Sequence, residues 1–280
     1  MMSIIGIGNA ASRIAECFTT SEAYKVYRLN SSVKRNSKYH FRLKEYETPE
    51  EYEKNVPDVK KFFREIDDRV QVFVVGSSFS SNYTLGILEQ IQEKKIDLIY
   101  IKPDSDLITG TQKLVENAVF GILQQYARSG VFNSFTVLSN IEIENALDSL
   151  PIKKYYESLN KTIFSTIHYV NYFTHTEPEI GMVSKPLEVN RIRTFGMLDP
   201  KTLEEKWFFD LDTSRDICYY ICINQQKLEE DGTLHRRLVK ILKDKPRNAF
   251  RRISYAIYET PYERDFGFCV AHTNVVQKNS

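Results

Sequence analysis

The chain has 280 residues and a formal net charge of +1, room for two ordinary domains but no global field to draw in nucleic acid or a membrane surface. With 42% hydrophobic and 27% charged residues it reads as a soluble globular protein. No charged segment precedes a long apolar run at the N-terminus, and no apolar stretch approaches the ~20 residues of a spanning helix, so neither a signal peptide nor a membrane span is expected.

The first predicted element is a short apolar strand from Ser3 to Ile7. It turns on Gly6 and Gly8 and continues at helical spacing through Ile14, Ala15 and Phe18. A strand that passes through glycines into a helix N-terminus offers an anion backbone N–H groups and the positive end of the helix dipole. Tyr24 to Leu29 reads as a second strand, and residues 31–46 are polar without a period to assign. Thr48-Pro49-Glu50-Glu51 predicts a helix start, with threonine as cap and proline in the first turn; Val59 to Ile66 continues at helical spacing. Val70 to Val75 is a strand leading into a serine-rich turn and a helix from Tyr83 to Lys94. A strand (Ile96 to Ile101), a helix (Leu107 to Ser129) and a strand (Ser134 to Ser139) follow. This alternation predicts an α/β architecture: a Rossmann-like parallel sheet covered on both faces, with ligands at the carboxyl ends of its strands.

A long helix, Pro151 to Phe173, leads into a second, smaller α+β part. Its predicted strands are Arg193 to Leu198, Ile217 to Asn224, Ile253 to Glu259 and Phe266 to Val276, with a helix from Gly232 to Leu242. The last two strands read as a hairpin through Thr260 to Asp265. Cys218 and Cys222 lie four apart in a strand, share a face and read as core. Together with Cys17 and Cys269 they form no matched C-x-x-C pairs, so reduced thiols and a cytoplasmic location are expected. His168 and His175 are too far apart for a two-ligand clamp, and neither a zinc set nor a Gly-x-Ser-x-Gly elbow is present, so no metal site is expected. Phe62-Phe63 and Trp207-Phe208-Phe209 read as core or interface anchors. The basic runs Lys34-Arg35 and Arg247 to Arg252 read as solvated faces.

Two families share the opening turn. Gly6-x-Gly8-x-x-Ala11 fits the dinucleotide-binding fingerprint, although Arg28-Leu29-Asn30-Ser31 ends the second strand without the ribose-binding acid. Arg28 there is compatible with a 2′-phosphate, which keeps an NADP-dependent oxidoreductase open. Gly8-Asn9-Ala10-Ala11-Ser12-Arg13-Ile14 also resembles the phosphate loop of tubulins and their plasmid and phage relatives. Ile99-Tyr100-Ile101-Lys102-Pro103-Asp104 resembles the Val-Thr-Lys-Pro stretch of FtsZ, and Thr136-Val137-Leu138-Ser139-Asn140 its Ile-Thr-Ile-Pro-Asn stretch. The order of elements resembles the tubulin/FtsZ family over about nine-tenths of the chain.

That resemblance implies a nucleotide-binding domain at 1–150, a central helix at 151–176 and a C-terminal domain at 177–280. It implies GTP or GDP as ligand, with or without Mg2+, and head-to-tail association with further copies of the chain. Gly8, Asn9, Ala10 and Ser12 fall on the first phosphate loop. Asn140, Tyr156 and Asn160 fall where the family meets guanine, and Tyr156 and Asn160, four apart, share a helix face. The family's glycine-rich signature appears as Ser77, Ser78, Phe79, Ser80, Ser81 and Asn82; side chains occupy the space phosphates would take, while serine hydroxyls can donate in their place. The loop that carries catalytic aspartates in filament-forming relatives reads Ser184-Lys185-Pro186-Leu187-Glu188, leaving Glu188, with Glu177 and Glu179, as candidate acids. Weak or lost hydrolysis is the resulting expectation. A structural or scaffold protein of the same fold without nucleotide is the other reading.

Overall fold

The computed structural model describes residues 2–147, 149–245 and 251–278. The first four residues of the basic run Arg247 to Arg252 lie outside them. The amino-terminal part holds the strands β1 (Met2–Ile7), β2 (Tyr24–Asn30), β3 (His40–Arg42), β4 (Arg69–Val75), β5 (Lys95–Lys102) and β6 (Ser134–Ser139). Its helices are α1 (Asn9–Cys17), α2 (Pro49–Lys54), α3 (Thr84–Glu89), α4 (Gly110–Arg128) and α5 (Asn140–Ala146). The six strands are parallel in the order β3-β2-β1-β4-β5-β6. Their side chains alternate between two apolar layers. Ile5, Ile7, Val72 and Val74 enter one with Phe120 and Leu123, while Ile4 and Phe73 enter the other with Ile14 and Phe18. Each such aliphatic side chain contributes about 1.5–3 kcal/mol on full burial.

The remainder consists of α6 (Tyr155–Phe173), β7 (Ile180–Met182), β8 (Ile192–Leu198), β9 (Glu205–Trp207), β10 (Asp216–Asn224), α7 (Gln225–Glu230), α8 (Leu234–Asp244), β11 (Arg252–Thr260) and β12 (Phe266–Thr273). β6 pairs with β8 at Phe135 and Thr136, so the sheet continues as β8-β12-β10-β11-β7. Leu159, Ile163, Ile167, Val170 and Phe173 form one stripe of α6. That stripe packs against Phe18 of the first part and Phe195, Tyr220 and Phe268 of the second. Cys218 and Cys222 are buried on this same face, as their spacing predicts, and the four cysteines are free thiols.

Three local expectations are corrected, and one helix is added at Asn140–Ala146. Val59 to Ile66 is a set of turns, because only isolated bonds close it (Phe63 N–H to Val59 O, Ile66 N–H to Phe63 O) while Phe62 and Phe63 pack on Tyr27. The helix expected from Tyr83 to Lys94 is a 3-10 turn over Phe79–Tyr83 followed by the short α3. Asn140–Ala146 is helical, capped by Ser139, whose hydroxyl accepts from Glu142 N–H. The last two strands are not a hairpin: β10, buried along nearly its whole length, lies between them, parallel to β11 and antiparallel to β12. The Thr260–Asp265 loop arches over the end of β10, where Asp265 accepts from Asn224 N–H at 3.1 Å. Among the described residues, no helix is long and apolar enough to cross a membrane.

Candidate functional site

β1 lies between β2 and β4, so the chain leaves it first to one side and then to the other. At such a switch point the loops after the two central strands diverge and open a crevice. Gly8 follows β1 and Gly76-Ser77-Ser78 follows β4, so the two loops singled out by sequence meet there.

Gly8 sits at φ 96°, the left-handed region that glycine enters without strain, and caps α1 without any side-chain hydrogen bond. Its N–H donates to Leu29 O at 2.7 Å, and its carbonyl accepts from Ser12 N–H at 2.9 Å. The N–H groups of the first turn of α1 point out of the helix without intrahelical acceptors. A Cβ on Gly8 would run into Ser80 Oγ, so the backbone and the serine loop stand in close contact. Ser78 and Ser80 share a hydroxyl–hydroxyl bond of 2.7 Å, and Ser81 Oγ donates to Ser78 O at 2.6 Å. The positive φ that a glycine would supply falls on Ser77, at 59°, a strained backbone costing on the order of 1–2 kcal/mol.

These loops frame a cavity of about 510 Å³ lined by Gly8, Asn9, Ser78 and Ser80, within the range of small-ligand sites. Asn9 is held across its mouth, donating to Ser31 Oγ and accepting from Ser32 Oγ, both at 3.0 Å. Phe79 of the serine loop also lines it; Ser31, Leu43, Lys44, Glu45, Tyr46, Glu47 and Tyr52 complete the lining, and sequence reasoning did not place them there. Most come from the aperiodic segment before α2. The one available signal was the Thr48-Pro49 cap, which forms a full capping box with Glu51 and fixes this segment beside the crevice. The glycine cradle, open helix end and hydroxyls suit phosphate; the carboxylates of Glu45 and Glu47 oppose it.

The other predicted residues lie elsewhere. Ala10 is exposed at the start of α1, and Ser12 is buried with its hydroxyl on Gly6 O at 3.2 Å. Ser81 is buried, and Asn82 Nδ2 is buried without a partner. Tyr156, 64% exposed, and Asn160, half-buried, lie on the α6 half that runs beside α1, and Asn140 opens α5. None of these lines the cavity. Arg28, the candidate 2′-phosphate ligand, is turned to Glu16 at 2.6 Å and to His40.

Glu188 is exposed at the far end of the parallel strands, on the rim of a second cavity of about 750 Å³. Arg69, Lys95 and Ser134, which begin β4, β5 and β6, line that groove with Lys185, Arg191 and Arg193. Beneath it, Asp97 is fully buried and takes Arg69 Nε at 2.8 Å and Asn133 Nδ2 and Ser134 Oγ at 2.6 Å each. Burial pushes the Asp97 carboxyl up, but Arg193, Arg69 and these hydrogen bonds outweigh it and hold its pKa below the ordinary value. His272, also in this groove, is lowered to about 3 by burial and by Arg193, against the raising influence of Asp216. The folded state thus keeps His272 neutral while the unfolded chain takes up a proton below pH ~6.5. Stability present above pH ~6.5 is therefore lost as pH falls toward 3. His272→Gln should remove that part of the loss, so that urea midpoints between pH 6.5 and 4 fall less steeply than in the wild type.

No protein-family model matches the sequence, and no curated protein matches it either. Solved structures do match its fold. A GTPγS-form protofilament of TubZ from Bacillus thuringiensis serovar israelensis superposes with TM-score 0.72 at 12% identity, covering 97% of this chain and 87% of that one. An FtsZ dimer from M. jannaschii gives 0.65 at 9% identity, covering 97% and 88%. The GTPγS-bound protofilament of CetZ2 from Haloferax volcanii gives 0.64 at 11% identity, covering 97% and 92%. Over nearly its whole length, and at very low identity, this chain has the tubulin/FtsZ-like fold.

Proposed function

We propose that the chain binds a guanine nucleotide, GTP or GDP, with its phosphates in the Gly8 cavity, and associates head to tail with further copies of itself in the cytoplasm. The observation that carries this is the meeting of the left-handed Gly8, at the uncapped N-terminus of α1, with the Ser78 and Ser80 hydroxyls at the switch point of a parallel sheet. Tyr156 and Asn160 are proposed to receive the base from α6, and Asn140 from α5. Mg2+ would arrive as the counter-ion of the phosphates, because no three acidic, histidine or cysteine ligands are grouped among the described residues. Hydrolysis is proposed to be slow or absent, since Lys185 stands where catalytic acids are expected and Glu188 is the nearest carboxylate in that loop.

A thermal-shift screen tests the reading. GTP and GDP should raise the melting temperature, and NADP should not, because Arg28 is already engaged. Gly8→Ala forces a Cβ into a positive φ and toward Ser80, and should abolish the GTP shift at a stability cost of about 1–2 kcal/mol. A second reading, a scaffold without nucleotide, is favoured by the two carboxylates of Glu45 and Glu47 in the cavity wall. It requires that no nucleotide shift the melt.

A further inference from the structure

α4 carries two apolar rows. The inner one, Phe120, Leu123 and Ala127, is buried in the layer that holds Ile5, Val72 and Val74 and seats the helix on a face of the sheet. One such row is what a surface helix needs. The outer row, Leu114, Ala118, Ile122 and Tyr126, recurs every four residues and is exposed. Leu114 is 71% exposed, Ile122 44% and Tyr126 41%. Between Lys113 and Arg128 the single charged residue is Glu116, and it is buried. The outer side of α4 thus shows water no ionised group over about 20 Å of helix, where surface helices ordinarily turn their charges. An exposed apolar patch of this kind marks a contact surface. It flanks the sheet and belongs to neither end of the strands.

We propose that this row is the contact of a twofold dimer, in which α4 of one copy crosses α4 of a second in the antiparallel sense. Rows at i and i+4 are the ridges that interlock in the commonest helix packing. A pair centred on position 120 sets Leu114 of each copy against Tyr126 of the other, and Ala118 against Ile122. Small then faces large at the centre, and Gly121 adds room, since a Cβ there would meet nothing within 4 Å. Leu107 and Val131, both exposed just outside the helix ends, extend the surface. A second copy is the occupant this chemistry selects. A twofold contact sets each group near its own image, so any charge in the row would repel itself, and the row has none. A partner of different sequence would be selected by charges, which this row does not offer. The contact is isologous and closes at two copies, so it is separate from head-to-tail association and needs no nucleotide. One helix pair covers less than the ~800 Å² per partner of a standard interface, so a Kd of about 1–100 µM is expected.

The test is sedimentation velocity of the full chain without nucleotide, at concentrations up to about 300 µM. The wild type should pass from monomer to dimer as concentration rises, and stop there. Ala118→Glu and Ala118→Lys change an exposed helix position, and circular dichroism checks that both fold. The two copies of position 118 stand on either side of the twofold axis, about 6 Å apart along the helices. Like charges there repel, so each variant alone should weaken dimerisation at least about tenfold. Mixing the two variants should restore the dimer, because opposite charges then meet across the axis. About 0.5 M NaCl should remove that rescue and leave the wild-type dimer in place. A wild type that stays monomeric throughout, or folded variants that each dimerise as the wild type does, would overturn the proposal. Head-to-tail association is read separately, by pelleting with GTP, and stands or falls on that result alone.

Discussion

Gly6→Ala is expected to destabilise the chain by about 3 kcal/mol, among the largest effects of any single methyl group in this molecule. A Cβ on Gly6 would sit 2.7 Å from Ala11 O and 2.7 Å from the Cα of Ser12, and both are backbone atoms of the first turn of α1. A flexible side chain could swing away, but these atoms cannot. β1 is held on one side by β2 and on the other by β4, and Ser12 Oγ is bonded to Gly6 O. Relief therefore requires α1 to lift from the sheet, exposing Ile14, Ala15 and Phe18. Urea denaturation should show the midpoint falling sharply at unchanged slope. An unchanged midpoint would mean that α1 is not seated on β1 as described. Gly8→Ala differs in kind, because its main collision is with a serine hydroxyl that can rotate, so its effect should appear in ligand binding more than in stability.

Asp97→Ala should cost about 3–5 kcal/mol at neutral pH. Its carboxylate is fully buried and takes Arg69, Asn133 and Ser134 directly, with the Arg193 charge close by. Removing it leaves the Arg69 guanidinium and two polar side chains without their shared acceptor and the nearby Arg193 charge without its counter-ion. The loss has a pH signature. Because the folded pKa is depressed, the carboxylate's contribution is complete above the unfolded value of ~3.9 and fades as pH falls through the lower folded value. The gap between wild type and Asp97→Asn should therefore be widest near pH 7 and narrow below pH ~4. A gap that stays constant down to acid unfolding would contradict the ionised, arginine-paired state of Asp97.

The parallel sheet was legible because buried apolar runs at β1, β4, β5 and β6 alternate with helical spacing, and Gly8, Gly76 and Pro103 follow the ends of β1, β4 and β5, although Gly6 stays within β1. The crevice was half legible. Gly8 announces itself by spacing, since a strand, a glycine turn and a helical period coincide there. The wall formed by Lys44, Glu45 and Tyr46 could not be read. It has no period, and its place is fixed by tertiary contacts such as the Tyr52 hydroxyl accepting from Tyr46 N–H. The serine loop misled in one respect: its positive φ survives at Ser77, held by the bonds of Ser81 to Ser78 O. The hairpin expectation failed for a topological reason. Sequence neighbours β11 and β12 both gain more by flanking the buried β10 than by pairing with each other. Helical spacing at Val59 to Ile66 was met by aromatic packing on Tyr27, which turns satisfy as well as a helix does.

Phosphate binding by the Gly8 crevice is the proposal on which the nucleotide reading depends. Calorimetric titration of the purified chain with GTP tests it most directly, run in parallel on Gly8→Ala. Saturable binding with one site per chain is expected in the wild type and none in the folded variant. Absence of binding to a folded wild type, or equal binding by Gly8→Ala, would contradict it.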